Sequence, residues 1–288
     1  MRPLISTTAL AELRDSPYRP VLLDVRWRLG GPPGRRDYEA GHIPGAVFLD
    51  LDTELAARPG VDAGPEAGRH PLPDPAALQA TLRAAGVRTG RLVVVYDAAD
   101  GSVAARTWWL LRWAGHREVT VLDGGFTGWT GEGRPSSTAE PTPSAGDIEV
   151  RPHAMPVLDA DGAAELATSG TLLDARAPER YAGEVEPVDP RAGHIPGARN
   201  APFAGHIGPD GRWKSPTELV KHFAECGVVD GTAIGVYCGS GVTASSVMLA
   251  LEHAGISTPE HPASLYPASW SGWSADPERP AATGTRPG

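Results

Sequence analysis

The sequence predicts an α/β protein built as two tandem copies of one unit, each a mostly parallel sheet flanked by helices. Short β-branched runs alternate with stretches of helical period along the whole chain. The segment AGHIPGA occurs at 40–46 and again, unchanged, at 192–198. Three weaker matches follow in the same order: VLLDVR at 21–26 with TLLDAR at 171–176, RLVVVYD at 91–97 with AIGVYC at 233–238, and TVLDGGFTGW at 120–129 with ASLYPASWSGW at 263–273. An ordered set of matches at a roughly constant offset is the mark of an internal repeat.

Taken in order, MRPLISTTALAELRDSP reads as a short strand and an amphipathic helix, without the apolar core of a signal peptide. LLDVR, AVFLDL, VVVYD and EVTVLD read as strands. ALAELR, PAALQATLRAAG and AARTWWLLRWAG place apolar residues at i, i+3, i+4 and i+7 and read as helices, with Trp108, Trp109 and Trp113 as packing residues. Strands alternating with helices imply a parallel sheet covered on both faces. GEGRPSSTAEPTPSAGDIEVRP, at 131–152, is rich in Pro, Ser, Thr and Gly and has no apolar period. The expected domains are therefore 1–138 and 153–288, with 139–152 as linker.

A chain of 288 residues is long enough for two cores of ordinary size. A net charge of −9 argues against nucleic acid or an anionic membrane as partner. No apolar run approaches the roughly 20 residues of a membrane span. Two cysteines cannot build a disulfide framework, which points to a reducing cytoplasm. No His/Cys cluster has ligand spacing and no Gly-rich phosphate motif follows a strand, so neither a metal nor an organic cofactor is implied.

Two copies of one fold separate scaffold from site. Pro-Gly in GHIPGA is a type II turn signal. His42 and His194 occur in both copies, which favours tying down a loop over chemistry. Asp24 and Asp174 read as anchors for neighbouring backbone, and Trp129 and Trp273 as core. The copies part after the strand: one has Tyr96-Asp97, the other Tyr237-Cys238. Cys238 thus stands at the carboxyl edge of a parallel sheet, where open α/β folds bind ligands. The loop after it, Gly239, Ser240, Gly241, Val242 and Thr243, can curl its backbone N–H groups toward the sulfur, with both glycines supplying the required φ values. The following helix adds the positive end of its dipole. Both effects stabilise an anion, whether the thiolate or a persulfide. Cys226, just before Gly227 near a helix end, reads as packing.

These residues resemble a known family. The tandem repeat, the twin GHIPGA motifs, CGSGVTA and DGGFTGW are similar to two-domain rhodanese-type sulfurtransferases, over nearly the whole chain. The resemblance implies an inactive first copy, with Asp97 in place of cysteine, and a catalytic second copy. It also implies a ping-pong cycle in which Cys238 takes sulfur from a small-molecule donor and passes it, as a persulfide, to a thiol such as thioredoxin or to cyanide. Thiosulfate-preferring members carry basic residues after the cysteine, whereas CGSGVT has none and is similar to the 3-mercaptopyruvate branch; thiosulfate remains the alternative donor. In that branch the loop serine, here Ser240, acts on the donor thiol, with a histidine of the first HIPGA, His42, beside it. An arginine, by position Arg180, grips the donor carboxylate. Near the place of a second substrate arginine stands Asp189, with Arg191 two residues on as the nearest candidate. The usual Asp-Gly before the last Ser-Trp is Pro267-Ala268. Related phosphatases need an arginine six positions after the cysteine, where this chain has Ala244. A non-catalytic binding module is disfavoured by the intact second loop.

Overall fold

The computed structural model describes residues 2–59, 64–98 and 100–288. The chain divides into two compact units, each gathered from three segments. Met1–Ala56, Pro73–Ala154 and Pro209–Trp213 make the first; Ala57–Leu72, Met155–Gly208 and Lys214–Gly288 make the second.

The first unit contains β1 (Leu4–Ile5), α1 (Thr7–Asp15), β2 (Val21–Asp24), α2 (Gly34–Ala40), β3 (Val47–Phe48), α3 (Pro75–Ala84), β4 (Val93–Tyr96), α4 (Ser102–Trp113), β5 (Val119–Leu122) and α5 (Gly125–Gly131). Its strands form one parallel sheet in the order β1-β5-β4-β2-β3. β4 and β5 are buried along their whole length, as expected of strands covered on both faces. Ser6 caps α1 by accepting the Ala9 N–H, and Asp74 caps α3, which starts with Pro75. The expected linker, 139–152, runs outside helices and strands along this unit. Gly146 N–H donates to Arg83 O at 2.7 Å, and Ile148 is buried. A Cβ on Gly146 would lie 1.9 Å from Val87 O, so only glycine lets the strap lie flat there.

The second unit contains α6 (Ala160–Ser169), β6 (Thr171–Asp174), α7 (Pro178–Tyr181), β7 (Arg199–Asn200), α8 (Pro216–Glu225), β8 (Ile234–Tyr237), α9 (Val242–His253), β9 (Ser264–Leu265) and α10 (Ser269–Ala275). Its parallel sheet has the order β7-β6-β8-β9. β8 is central and buried throughout, so Cys238, the next residue, leaves the middle of the sheet. The segment 57–72 belongs here although it precedes this unit's strands by a hundred residues or so. Two glycines let it close on α10: a Cβ on Gly68 would lie 2.4 Å from Ala268 O, and one on Gly272 would lie 2.4 Å from Glu66 O.

The repeated motifs do the same work in each unit. Arg26 pairs with Asp24 and donates to Gly41 O, both at 2.7 Å; Arg176 pairs with Asp174 at 2.6 Å and donates to Gly193 O at 2.7 Å. Each buried ion pair therefore pins the backbone entering GHIPGA, whose glycines Gly45 and Gly197 take φ of 86° and 85°. Among the described residues no helix is long and apolar enough to cross a membrane.

Candidate active site

Cys238 sits at the end of β8, 1% exposed, with α9 starting four residues on. Gly241 N–H donates to its Sγ at 3.1 Å, folding the loop back onto the sulfur. Gly241 is the N-cap of α9 and takes φ of 80°, in the left-handed region that favours glycine. The amides of Val242 and Thr243 open the helix, where backbone N–H groups have no intrahelical acceptor. Gly239 serves a different purpose from the one expected. Its φ is not positive; a Cβ there would lie 2.9 Å from Arg69 Nη2 and 3.6 Å from Arg180 Nη1. The missing side chain makes room for two guanidinium groups over the loop.

The turn at Pro267-Ala268 braces the loop from behind. Cys238 N–H donates to Ser269 Oγ at 3.1 Å, and that hydroxyl donates to Tyr266 O at 2.9 Å. Ser269 has φ of 55°, a conformation that costs a non-glycine residue about 1–2 kcal/mol. Trp270 and Ser271 N–H groups then donate to the Cys238 and Gly239 carbonyls, both at 2.9 Å.

In the first unit a carboxylate, Asp97, stands at the end of β4 where the second unit has the sulfur. Asp97 accepts from Gly101 and Val103 N–H at 3.0 Å and from Ala104 N–H at 3.1 Å. In the first unit three backbone N–H groups thus converge on a carboxylate, whereas in the second the Gly241 N–H points at the sulfur. Burial and the Asp100 carboxylate push Asp97 up to about 6, with the three N–H groups pulling the other way. A Cβ on Gly101 would lie 2.9 Å from the Trp213 indole, which covers that loop.

Ser240 has a partner that the sequence reading missed. Its Oγ lies 2.7 Å from His70 Nδ1, and both residues are buried. His70 comes from RHPLP in the segment 57–72, two residues after Gly68. Its signal was available: with the copies aligned on the helix caps Asp74 and Ser215, the second has Gly211 at this place. His42, by contrast, is withdrawn from chemistry. It is fully buried, its Nδ1 lies 2.9 Å from Tyr38 O and its Nε2 3.1 Å from Ala139 O, and it stacks on Tyr38. His194 repeats the arrangement against Tyr181 O at 2.8 Å and Pro287 O at 3.3 Å. Both are loop ties.

Arg180 lies over Gly239, but not alone. Its Nη2 bonds Glu186 Oε1 at 2.5 Å and Asp189 Oδ2 at 3.1 Å. Glu186 also accepts from Arg176 Nη1 at 3.3 Å, and Asp189 pairs with Arg69. Burial raises the Asp189 carboxyl above its ordinary value, the Arg69 charge opposing it. Arg191 is a correction: its guanidinium is spent on backbone, donating to Ser274, Arg279, Trp273 and Asp276 carbonyls at 2.7–3.2 Å. It closes the C-terminal end of α10 and offers nothing to a substrate. Cys226 caps α8, and burial pushes its thiol up to about 11, so it behaves as packing.

Two tandem α/β units, the second with a cysteine in an anion loop at the carboxyl edge of its sheet, define the class. A family profile for the rhodanese-like domain matches residues 6–132 and 159–276, and the chain belongs to the rhodanese family. A Pseudomonas aeruginosa protein named "Probable 3-mercaptopyruvate sulfurtransferase" is 45% identical over 273 residues, 92% of either chain. A Mycobacterium tuberculosis protein named "Putative thiosulfate sulfurtransferase SseB" is 42% identical over 285 residues, covering 98% of this chain and 97% of its own. The crystal structure of the 3-mercaptopyruvate sulfurtransferase SseA from Escherichia coli superposes with a TM-score of 0.81 at 30% identity, covering 94% of this chain and 99% of its own.

Proposed function

We propose that the protein is a sulfurtransferase that carries sulfur from 3-mercaptopyruvate, through a persulfide on Cys238, to a thiol or cyanide. The observation that carries this reading is the Gly241 N–H bond to Cys238 Sγ, with the Ser240–His70 pair beside it. In the first half-reaction the Cys238 thiolate attacks the donor sulfur. The S–S bond forms, the donor C–S bond breaks, and its electron pair leaves on the carbon that becomes the methyl of pyruvate. That carbon needs a proton, and the donor thiol has one to lose. Ser240, hydrogen-bonded to His70, is the group beside the sulfur able to relay it. In the second half-reaction an acceptor thiolate or cyanide attacks the outer sulfur, the S–S bond breaks, and the Cys238 thiolate returns. The cradle serves both anionic sulfur species with the same donors.

Thioredoxin is a fitting acceptor in chemical class, and we propose a cytoplasmic location, where such thiols are kept reduced. Thiosulfate is the second reading for the donor. It is favoured by the Mycobacterium tuberculosis relative's name. The test is sulfur transfer to one common acceptor from each donor, with Cys238→Ser as control. Transfer by the unsubstituted protein and none by the variant is expected; equal rates for both would refute the enzyme reading.

A further inference from the structure

Arg69 has no counterpart among the residues that sequence patterns marked for the site, yet it lies closer to the catalytic loop than Arg180 does. Its Nη2 is 2.9 Å from the position of a Cβ on Gly239, the residue after Cys238; Arg180 Nη1 is 3.6 Å from the same point. Each guanidinium is held by one edge. Arg69 Nη1 pairs with Asp189, while Arg180 Nε and Nη2 bond Glu186 and Asp189. Among the described residues, Arg69 Nε is buried without a hydrogen-bond partner. Arg69 Nη2 and Arg180 Nη1 are the guanidinium nitrogens nearest Gly239, and among the described residues the bonds these two groups make run from their other nitrogens. A buried donor left unmet is costly in a native structure, and two half-used planar forks facing one point suit an anion with two or more oxygens.

The charges around that point cancel. Arg69, Arg176 and Arg180 face Asp174, Glu186 and Asp189, all joined by ion pairs. An arriving monoanion can engage the free edges. A dianion must bring a second charge into a cluster whose cations are already matched, against the nearby Asp189. We propose that Arg69 and Arg180 form a clamp for the donor's anionic group and that Asp189, 3% exposed between them, is a fixed competing carboxylate that selects a singly charged donor. Arg69 is thus a specificity residue supplied by the segment 57–72. This rests on the proposed sulfurtransferase reading and extends it to donor charge.

Binding without turnover tests it. In Cys238→Ser protein, dissociation constants for 3-mercaptopyruvate and for thiosulfate are measured calorimetrically, alone and combined with Arg69→Gln or Asp189→Asn. A thermal melt of each variant reports folding. Arg69→Gln is expected to weaken both donors on the order of tenfold. Asp189→Asn is expected to tighten both, thiosulfate on the order of tenfold and more than 3-mercaptopyruvate. Unchanged constants in folded Arg69→Gln protein would make the pair merely structural and overturn the proposal. So would equal weakening by both substitutions, or no binding by the Cys238→Ser parent. Turnover of the unsubstituted protein is scored separately. Turnover with unchanged constants sinks the clamp alone, and altered constants without turnover sink the sulfurtransferase reading alone.

Discussion

Ser240 Oγ and His70 Nδ1 lie 2.7 Å apart, and the proposed proton relay uses them as one group. Ser240→Ala is therefore expected to lower kcat with 3-mercaptopyruvate by about 10²–10⁴-fold, the usual size of a proton-transfer contribution, with a smaller change in KM. His70→Gln should cost about the same, and the double variant little more than either, because residues acting as a unit are not additive. Steady-state kinetics of the four proteins check this; an additive double variant would mean that the two act separately. His42→Gln should behave differently. It should lower the denaturant midpoint by an amount worth about 1–3 kcal/mol, as carbonyls of Tyr38 and Ala139 lose their partner, with kcat/KM held within a few-fold. The contrast shows how far the residues spoke for themselves. A histidine present in both copies is scaffold, and His42 and His194 obey that rule; following the family pattern to His42 set it aside. His70 had the opposite signature, a histidine in one copy alone. It went unread because RHPLP lies in a stretch without periodicity, where nothing says which side chains point inward.

At the scale of elements, the strand–loop–helix of each unit aims backbone N–H groups at the residue ending the strand, three at the Asp97 carboxylate in one and that of Gly241 at the Cys238 sulfur in the other. Asp97, raised to about 6, is neutral in the folded state over a range where the unfolded chain is ionised. Its contribution to stability is full below about pH 4 and is lost as pH rises through about 6. Asp97→Asn cannot titrate. Unfolding free energy of wild type relative to this variant should therefore fall between pH 4 and 7, by an amount on the order of 2 kcal/mol. Denaturant titrations at several pH values check it, and a flat difference would mean that the N–H groups of Gly101, Val103 and Ala104 hold the carboxylate ionised throughout. The elements themselves were legible. β2, β4 and β5, and α1, α3 and α4, fall on the segments their periodicity marked, because buried strands and amphipathic helices write their burial into composition. The glycines were only half legible. Gly241 is there for φ, but the need for Gly239 comes from Arg69, a residue far away in sequence.

For the whole molecule, the tandem plan was visible in the repeat, and the assignment of residues to units was not. A single cut near residue 140 puts the catalytic loop and everything it needs in the second half, yet the second unit includes 57–72. That segment is rich in Pro and Gly and includes a short 3₁₀ turn, Pro65–Ala67; close contacts at Gly68 and Gly272 hold it. A fragment of residues 155–288 therefore retains Cys238 but lacks His70 and Arg69, and it uncovers α10. It is expected to be less stable than the full chain and, where folded by circular dichroism, at least about 10²-fold slower in sulfur transfer. Full activity would mean that 57–72 is dispensable. The most direct test of the central claim is mass spectrometry of the full chain after brief exposure to 3-mercaptopyruvate without acceptor. One added sulfur atom is expected, on the peptide carrying Cys238, released on addition of a thiol and absent in Cys238→Ser protein. An unmodified Cys238, with pyruvate nonetheless formed, would contradict the persulfide cycle.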